Sequence, residues 1–584
     1  MTSSPINAES LLAIDVGTTN TRAVLFDVVE GHYRFIGSGT ALTTAGAPFK
    51  DIGEGIRLAL DQLQNITGHT FVGKDEHLII PSLSDGSGVD ACVATLSAGP
   101  PLRVVAVGLL EDVSADSAQN LASMIYAQVV DTLSLNDRRQ PSTRLDTLLR
   151  IRPDLIIVAG GTEGGASHSL MTLIESIGLA RYITPQIVRP DVLYVGNQAL
   201  IPEIKSSLGS YATLHIAPNI RPTLEMEQLS SAQDDLAMIF RQVRGKKIPG
   251  VQELNGWTGG QLMPTVTAFG KLVHFLSRVY DPAKGVLGID VGSSATSIAA
   301  AFSGDLILRV YPKFGLGECL AGLLNYTSLE EITRWLSVEV TDAEVRDYLF
   351  NKAVHPSSIP ANAEELSIEQ AVARQVMQLA VKKVMKNFPR RAARSGVGLL
   401  PWFEPILATG NVLTNAPTRG QTLLMLLDAL QPTGVTTFAL DQNMISSALG
   451  AAAAVNPALT VQVLESGSFL NLGTVISPVG NANYGTSCLR VRVTYETGNT
   501  ANLDIKFGAL EVIQMPIGQN ANLHLQPLHR FDVGMGGPGR GGNVKAVGGS
   551  LGVIIDARGR PLRLPDDPVR RRELNKKWIW TFGG

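Results

Sequence analysis

Cysteine is scarce in this 584-residue chain: three residues, Cys92, Cys319 and Cys488, far apart and odd in number. That excludes a disulfide framework and any thiolate metal spacing, and it suits a reducing compartment. A surplus of charge of either sign is also missing. Charged residues make up 17% and the formal net charge is −3, so the basic footprint of a nucleic-acid binder is absent. The nine histidines form no close metal-ligating pair. No apolar run reaches the roughly 18–20 residues that cross a bilayer. The best candidate, Ala448 to Val455, is short, Ala-rich and preceded by Asp441. Met1 to Ser10 is short and polar, unlike a secretory signal. These absences predict a cytoplasmic protein with no membrane span and no nucleic-acid partner.

What is present is apolar bulk. Hydrophobic residues reach 45%, too many for disorder, and the length predicts two to four domains. Leu11 to Asp15 is an apolar run ending in a carboxylate. Gly17-Thr18-Thr19-Asn20 is a turn, and Thr21 to Phe26 resumes strand character, which makes a β-hairpin. Strands at Val104–Val107, Leu155–Ala159, Val192–Val195 and Ala212–Ile216 alternate with helices expected at Ala115–Leu133 and Ser167–Ile177. Such alternation predicts a parallel, doubly wound sheet inserted at about 75–250 in a first lobe that begins at 1–74.

The opening signature then returns. Val286 to Asp290 is again an apolar run ending in Asp, followed by Val291-Gly292-Ser293-Ser294 and a strand from Ser297 to Phe302. Two copies of one supersecondary unit predict two related lobes, the second at 251–457. Residues 325–396 read as helical, with the charge run from Val381 to Arg394 on a solvated face. A strand turns into a helix at Thr409-Gly410-Asn411, and 421–455 reads as mostly helical. From 458 onward short strands are expected at Val461–Leu464, Leu489–Val493, Ala501–Phe507, Leu510–Ile513 and Leu551–Asp556. With a glycine-rich loop at Gly534–Gly542 and a closing helix at Asp567–Trp580, they predict a separate β-rich domain, 458–584. The glycine loop lacks the Lys-Ser/Thr of a Walker loop and reads as a linker.

The repeated hairpin suits phosphate chemistry. Glycine lets the backbone approach an oxyanion, successive N–H groups in a tight turn make an anion-binding concavity, and hydroxyls add donors. A strand-end carboxylate can hold Mg²⁺ through water. Candidate ligands of phosphate are therefore Gly17, Thr18, Thr19, Gly292, Ser293 and Ser294, with Asp15 and Asp290 as catalytic and metal-holding carboxylates. Glu163, after the glycine pair Gly160-Gly161, is a weaker candidate at a strand end, where a helix-start carboxylate is the plainer reading.

Asp15-x-Gly17-Thr18-Thr19, Asp290-x-Gly292-Ser293 and Thr409-Gly410-Asn411 resemble the two phosphate motifs and the adenosine motif of the actin/sugar-kinase/heat-shock-chaperone ATPase superfamily. Within it, the chain resembles the accessory proteins encoded beside glutamate mutase (MutL or GlmL type, unrelated to mismatch repair). The segments that carry this are IDVGTTNTRAVLFD from Ile14, LRVVAVGL from Leu102, RPDLIIVAGGTEGG from Arg152, YVGN from Tyr194, GVLGIDVGSSATS from Gly285 and ATGNVL from Ala408. The resemblance covers about 10–455. It implies an α/β fold of two actin-like, ribonuclease-H-like lobes that hold ATP and Mg²⁺ between them, with Gly410 and Asn411 at the adenosine. It also implies an ATP-dependent accessory or reactivating role toward a cobalamin-dependent mutase, and it leaves a homo-oligomer open.

Two departures bear on the chemistry. Where the family reads Asp-x-Gly-Gly-Ala-Thr-Thr-Asp, this chain has Ser293 for the second glycine and Ser297 for the closing acid. The downstream Glu-Gly-Asp-Leu-Gly is Lys313-Phe314-Gly315-Leu316-Gly317, with Glu318 following. Binding is thus expected to survive better than hydrolysis. The alternatives are a polymerising or scaffold protein that binds nucleotide with little turnover, and a small-molecule kinase, for which Asp85 is the one candidate base.

Overall fold

The hairpins and the helices between them can be followed in a computed structural model, which describes residues 9–165, 168–209 and 213–583. The polar stretch Met1 to Ala8, the expected helix start at Ser167 and the expected strand start at Ala212 lie outside the described residues. The chain divides into two compact units. One runs to Asp27 and includes Ile36–Ala268 and Leu308–Pro312; the other takes Val28–Phe35, Phe269–Ile307 and Lys313–Gly584.

In chain order the strands of the first part are β1 (Leu11–Val16), β2 (Asn20–Val29), β3 (His32–Leu42), β4 (Ala91–Leu96), β5 (Leu102–Gly108), β6 (Ala127–Ser134), β7 (Leu155–Val158), β8 (Asp191–Tyr194), β9 (Leu214–Ile216) and β10 (Met263–Pro264). One sheet has the order β10-β4-β1-β2-β3. In it β1 lies antiparallel to β2 and parallel to β4, and β4 is parallel to β10. β1 is apolar because both its faces are covered: Leu11, Leu12, Ala13, Ile14 and Val16 are all buried. The other sheet has the order β6-β5-β7-β8-β9, every neighbouring pair parallel. It is a doubly wound sheet whose chain direction switches sides at β5. Its core gathers Val105, Val107, Ile156, Val158, Val192 and Tyr194 from the strands with Leu170, Leu173, Ile174 and Ile177 from the helix His168–Ile183.

The second part makes β11 (Gly285–Val291), β12 (Thr296–Phe302), β13 (Asp305–Tyr311), β14 (Phe403–Thr409), β15 (Gly434–Leu440), β16 (Leu470–Ser477), β17 (Ser487–Tyr495), β18 (Thr500–Lys506), β19 (Leu510–Ile513), β20 (Asn520–Pro527), β21 (Gly542–Val547) and β22 (Val553–Asp556). The large sheet runs β13-β12-β11-β14-β15-β16-β22-β19. Its first five strands repeat the connection order of β3-β2-β1-β4-β10, and the senses match. β11 is antiparallel to β12 and parallel to β14, and β14 is parallel to β15. Both sheets are therefore ribonuclease-H-like lobes of the actin-like kind, with a doubly wound α/β insertion after β4.

Several local expectations are corrected. β4 lies inside 75–250 yet pairs with β1, and β10, inside 251–457, pairs with β4. The first lobe thus encloses the insertion on both sides, a pairing that local sequence does not encode. The stretch Ala115–Leu133, expected as one helix, is a helix only to Ala122. It then becomes β6, where Gln128-Val129-Val130-Asp131-Thr132 supplies β-branched residues. The helical reading of 421–455 hides β15, whose alternating burial is that of a strand. The strand expected at Val461–Leu464 is instead the helix Pro457–Glu465, started by Asn456, whose side chain accepts from the Leu459 N–H.

Nor do residues 458–584 stand apart as one β-rich body. β16, β22 and β19 extend the large sheet, whereas β18-β17-β20-β21 form a separate antiparallel sheet. One core serves both, with Ile476, Val553 and Ile555 packed among Val491, Leu523, Leu525 and Phe531. A buried ion network fastens this region further. Arg558 donates to Asp556 Oδ1 through Nε (2.8 Å) and to Asp428 Oδ1 through Nη1 (2.8 Å). Arg374 holds Asp428 Oδ2 (2.8 Å), Arg560 holds Asp556 Oδ2 (2.7 Å), and Trp578 stacks 4.5 Å from the Arg558 guanidinium. Burial alone would raise the Asp556 pKa. The charges and hydrogen bonds of Arg558 and Arg560 outweigh it and hold the carboxyl well below the usual range.

A depressed folded-state pKa contributes stability that is full above the unfolded value, about 3.9, and is lost as pH falls through the folded one. Asp556→Asn, which leaves two buried guanidiniums undercompensated, is expected to cost about 3–5 kcal/mol at neutral pH. It should also shallow the loss of stability in acid below about pH 4. Denaturant unfolding of both proteins across that range checks it; equal stability and equal acid slopes would refute the role of the network.

Candidate functional site

The first hairpin turns at Gly17–Thr19. The Gly17 N–H closes the turn on the Asn20 carbonyl (2.9 Å). A Cβ on Gly17 would lie 2.7 Å from that same oxygen, so the close approach requires glycine. Thr43, just beyond β3, braces the turn from behind: its hydroxyl donates to the Gly17 carbonyl (2.9 Å) and its N–H to the Thr19 carbonyl (2.8 Å). Asp15 stands opposite Thr95 of β4 in the parallel register. The hydroxyls of Thr95 (2.5 Å) and Thr265 (3.1 Å) both donate to Asp15 Oδ1. Among the described residues, no hydrogen bond reaches Asp15 Oδ2. The carboxylate is held by one oxygen and offers the other.

The second hairpin is built alike. The Gly292 N–H closes on the Ala295 carbonyl (2.9 Å), and Asp290 stands opposite Thr409 of β14 as Asp15 stands opposite Thr95. Gly410 follows at φ 114°, ψ 147°, a backbone region reserved for glycine. A Cβ there would come within 2.3 Å of the Val291 carbonyl oxygen, so this glycine lets the β14 turn lie against the end of β11. Asn411 opens the short helix Asn411–Thr414 and is exposed. Asp290, Gly292–Ser294 and Gly410 are thereby gathered at one end of β11 and β14.

The two hairpins differ in their surroundings. In the antiparallel registers Asp15 faces Arg22, whereas Asp290 faces Ser297. A carboxylate at 297 would stand directly across from Asp290, and this chain puts a hydroxyl there. The segment from Gly315 to Gly317 lies on the second turn. The Leu316 N–H donates to the Gly292 carbonyl (3.1 Å), and Cβ atoms on Gly315 or Gly317 would overlap Ser293 at 2.5 and 2.2 Å. Glycine at 315 is thus required by contact, while Glu318 is exposed. Thr409 donates to Asp441 (3.3 Å), a fully buried carboxylate that also accepts the N–H groups of Ile445 and Ser446 (2.9 and 2.7 Å).

Other candidates are spent elsewhere. Asp85, on an exposed loop, accepts from the Ser87 hydroxyl (2.6 Å) and N–H (2.9 Å); these bonds lower its pKa, opposite to the need of a general base near neutrality. Glu163 accepts from Asn219 Nδ2 (2.7 Å). No cluster of three His, Cys, Asp or Glu able to hold a metal occurs among the described residues. One carboxylate beside phosphate oxygens and water nevertheless suits Mg²⁺, which keeps much of its hydration shell, and the open oxygen of Asp15 fits that role.

A profile of the MutL protein family matches residues 11–467. The chain belongs to this family. Protein MutL of Clostridium tetanomorphum is 22% identical over 492 residues, which span 78% of this chain and 98% of that relative. Among solved structures, nucleotide-free acetone carboxylase is similar over 86% of this chain and 81% of its own, at 14% identity and a TM-score of 0.31. Nucleotide-free diol dehydratase-reactivating factor covers 76% and 99%, at 9% identity and a TM-score of 0.30. Such TM-scores are too low to bear on function, and the lobe assignment rests on the strand orders. The MutL match extends through β14 and β15 and stops before β16, so the family's shared part ends where the C-terminal additions to the large sheet begin.

The glycine at 410 gives a direct check on the second hairpin. Gly410→Ala is expected to lose about 1–3 kcal/mol from backbone strain alone, with the Val291 overlap added, and to lower the melting temperature. An unchanged melting curve would contradict the packing of the β14 turn on β11.

Proposed function

We propose that this MutL-family protein binds Mg·ATP through its two hairpins and serves as a nucleotide-driven accessory or reactivating factor for a partner enzyme, a cobalamin-dependent carbon-skeleton mutase. The observation that carries the nucleotide reading is the duplicated turn: a strand-end aspartate, then a glycine whose N–H closes the turn three residues on. Family membership supports the accessory role. In this reading Gly17 and Gly292 close the turns and let phosphate approach the backbone, Thr18, Thr19, Ser293 and Ser294 supply the donors to its oxygens, Asp15 and Asp290 orient the hydrated metal, and Gly410 with Asn411 faces the adenosine. Bound Mg²⁺ would neutralise charge on the transferring phosphoryl group.

Hydrolysis is slow in this account. Water attack on a phosphoryl group needs a positioned acceptor for its proton. The places where the family carries acids near the second hairpin hold Ser297, Lys313 and Gly315. The nucleotide then works chiefly by occupancy, favouring one arrangement of the protein when ATP is bound and another when it leaves. A kinase reading is less well supported because the Asp85 carboxylate is committed to Ser87.

Calorimetry with Mg·ATP and a phosphate-release assay test the proposal on the wild type, Asp15→Ala and Asp290→Ala. Expected are binding by the wild type, loss of at least about tenfold in affinity in Asp15→Ala, and turnover well below the ~10 s⁻¹ typical of enzymes. Rapid turnover abolished by Asp290→Ala would overturn the slow-hydrolysis reading. Wild-type protein that binds no nucleotide would overturn the whole.

A further inference from the structure

We infer that the doubly wound insertion carries a second ligand site, independent of the hairpins, for a small carboxylic acid with an apolar body. The sheet order β6-β5-β7-β8-β9 reverses direction at β5, and ligands of such sheets bind outside the carboxyl ends of the strands at that switch. A cavity of about 190 Å³ opens there. Its walls come from the segments that follow β5, β7 and β9, with Leu110, Val113 and Leu224 supplying apolar surface. A cavity of about 150 Å³ lined by such side chains holds a benzene ring, so the size suits a ligand of about one ring.

The polar side of the cavity is the Gly160-Gly161-Thr162 turn. The N–H groups of these three residues donate to no acceptor among the described residues. Gly161 adopts φ 73°, and Asn219 Nδ2 holds its carbonyl (3.1 Å), which fixes the peptide. Successive free N–H groups in such a turn form a concavity for an oxyanion. Arg221 is the one charged residue in the lining. Its Nε donates to Ser117 Oγ (2.8 Å), its Nη1 to the Leu224 carbonyl (2.5 Å), and Glu227 lies 3.7 Å from its Nη2. Glu227 screens part of that charge, so the peptide donors set the oxygen's place and the guanidinium adds a positive field. An apolar pocket with a few convergent polar groups is the usual form of a small-molecule site. The glycine run that reads as a family signature in the sequence thereby gains a role: its glycines admit the ligand's oxygens to the backbone.

4-Bromobenzoate is the probe. Crystals soaked with it are expected to show a bromine anomalous peak within the cavity, and calorimetry should register binding by wild type and Asp15→Ala alike. Leu224 is 59% exposed, so Leu224→Trp can fill the mouth without disturbing the core; it should weaken binding at least about tenfold. 4-Bromobenzyl alcohol should bind at least about tenfold less tightly than the acid. A peak absent from the cavity, affinity unmoved by Leu224→Trp, or equal affinity for the alcohol would each overturn the assignment. Loss of nucleotide binding in Asp15→Ala, with probe binding intact, would separate this site from the hairpins.

Discussion

One peptide hydrogen bond, made twice, sets the geometry on which the rest depends. Gly17 N–H to Asn20 O and Gly292 N–H to Ala295 O are both 2.9 Å. Each reverses the chain within three residues of a buried strand, so the aspartate two positions earlier is fixed at the strand's end. The first turn cannot tolerate a Cβ, and the second allows one only at 3.2 Å. The parallel strand beside each hairpin then brings a threonine opposite the aspartate, Thr95 in one lobe and Thr409 in the other. Duplication is therefore visible down to single side chains, beyond the order of strands.

The copies have diverged in how they are supported. In the first, two hydroxyls hold Asp15 by a single oxygen and Thr43 braces the turn, which fixes the orientation of the carboxylate. In the second, Thr409 is drawn toward the buried Asp441, and the glycine segment 315–317 fits against Ser293. Acid replaced by glycine exchanges chemistry for close packing. The proposed function, occupancy with slow hydrolysis, is compatible with that exchange, and the ion network of Asp428, Asp556, Arg558 and Arg560 adds rigidity elsewhere in the same unit.

Much of this was legible in the chain. The repeat of Ile-Asp-Val-Gly disclosed two hairpins because strand, carboxylate and glycine are all local signals. The partners of Asp15 were not legible: Thr95 and Thr265 lie 80 and 250 residues away, and only the strand pairing brings them in. Lys313 and Gly315 read as lost acids, whereas the close contact of Gly315 with the Ser293 carbonyl gives that glycine a packing role that spacing cannot express. β6 was masked because it follows a helix after a few residues and continues the same apolar run. β15 was open to detection, since Val435-Thr436-Thr437-Phe438 is rich in β-branched and aromatic residues. Asn456-Pro457 likewise is a local helix-start signal, a capping side chain followed by proline at the first helical position.

The proposed function requires that each of the two turns responds to bound nucleotide. Hydrogen exchange followed by mass spectrometry, with and without saturating Mg·ATP, tests it most directly because it reports each turn separately. The account predicts slower exchange in the peptides covering 15–20 and 290–296 together. Protection of neither turn, or of one turn alone, would contradict it.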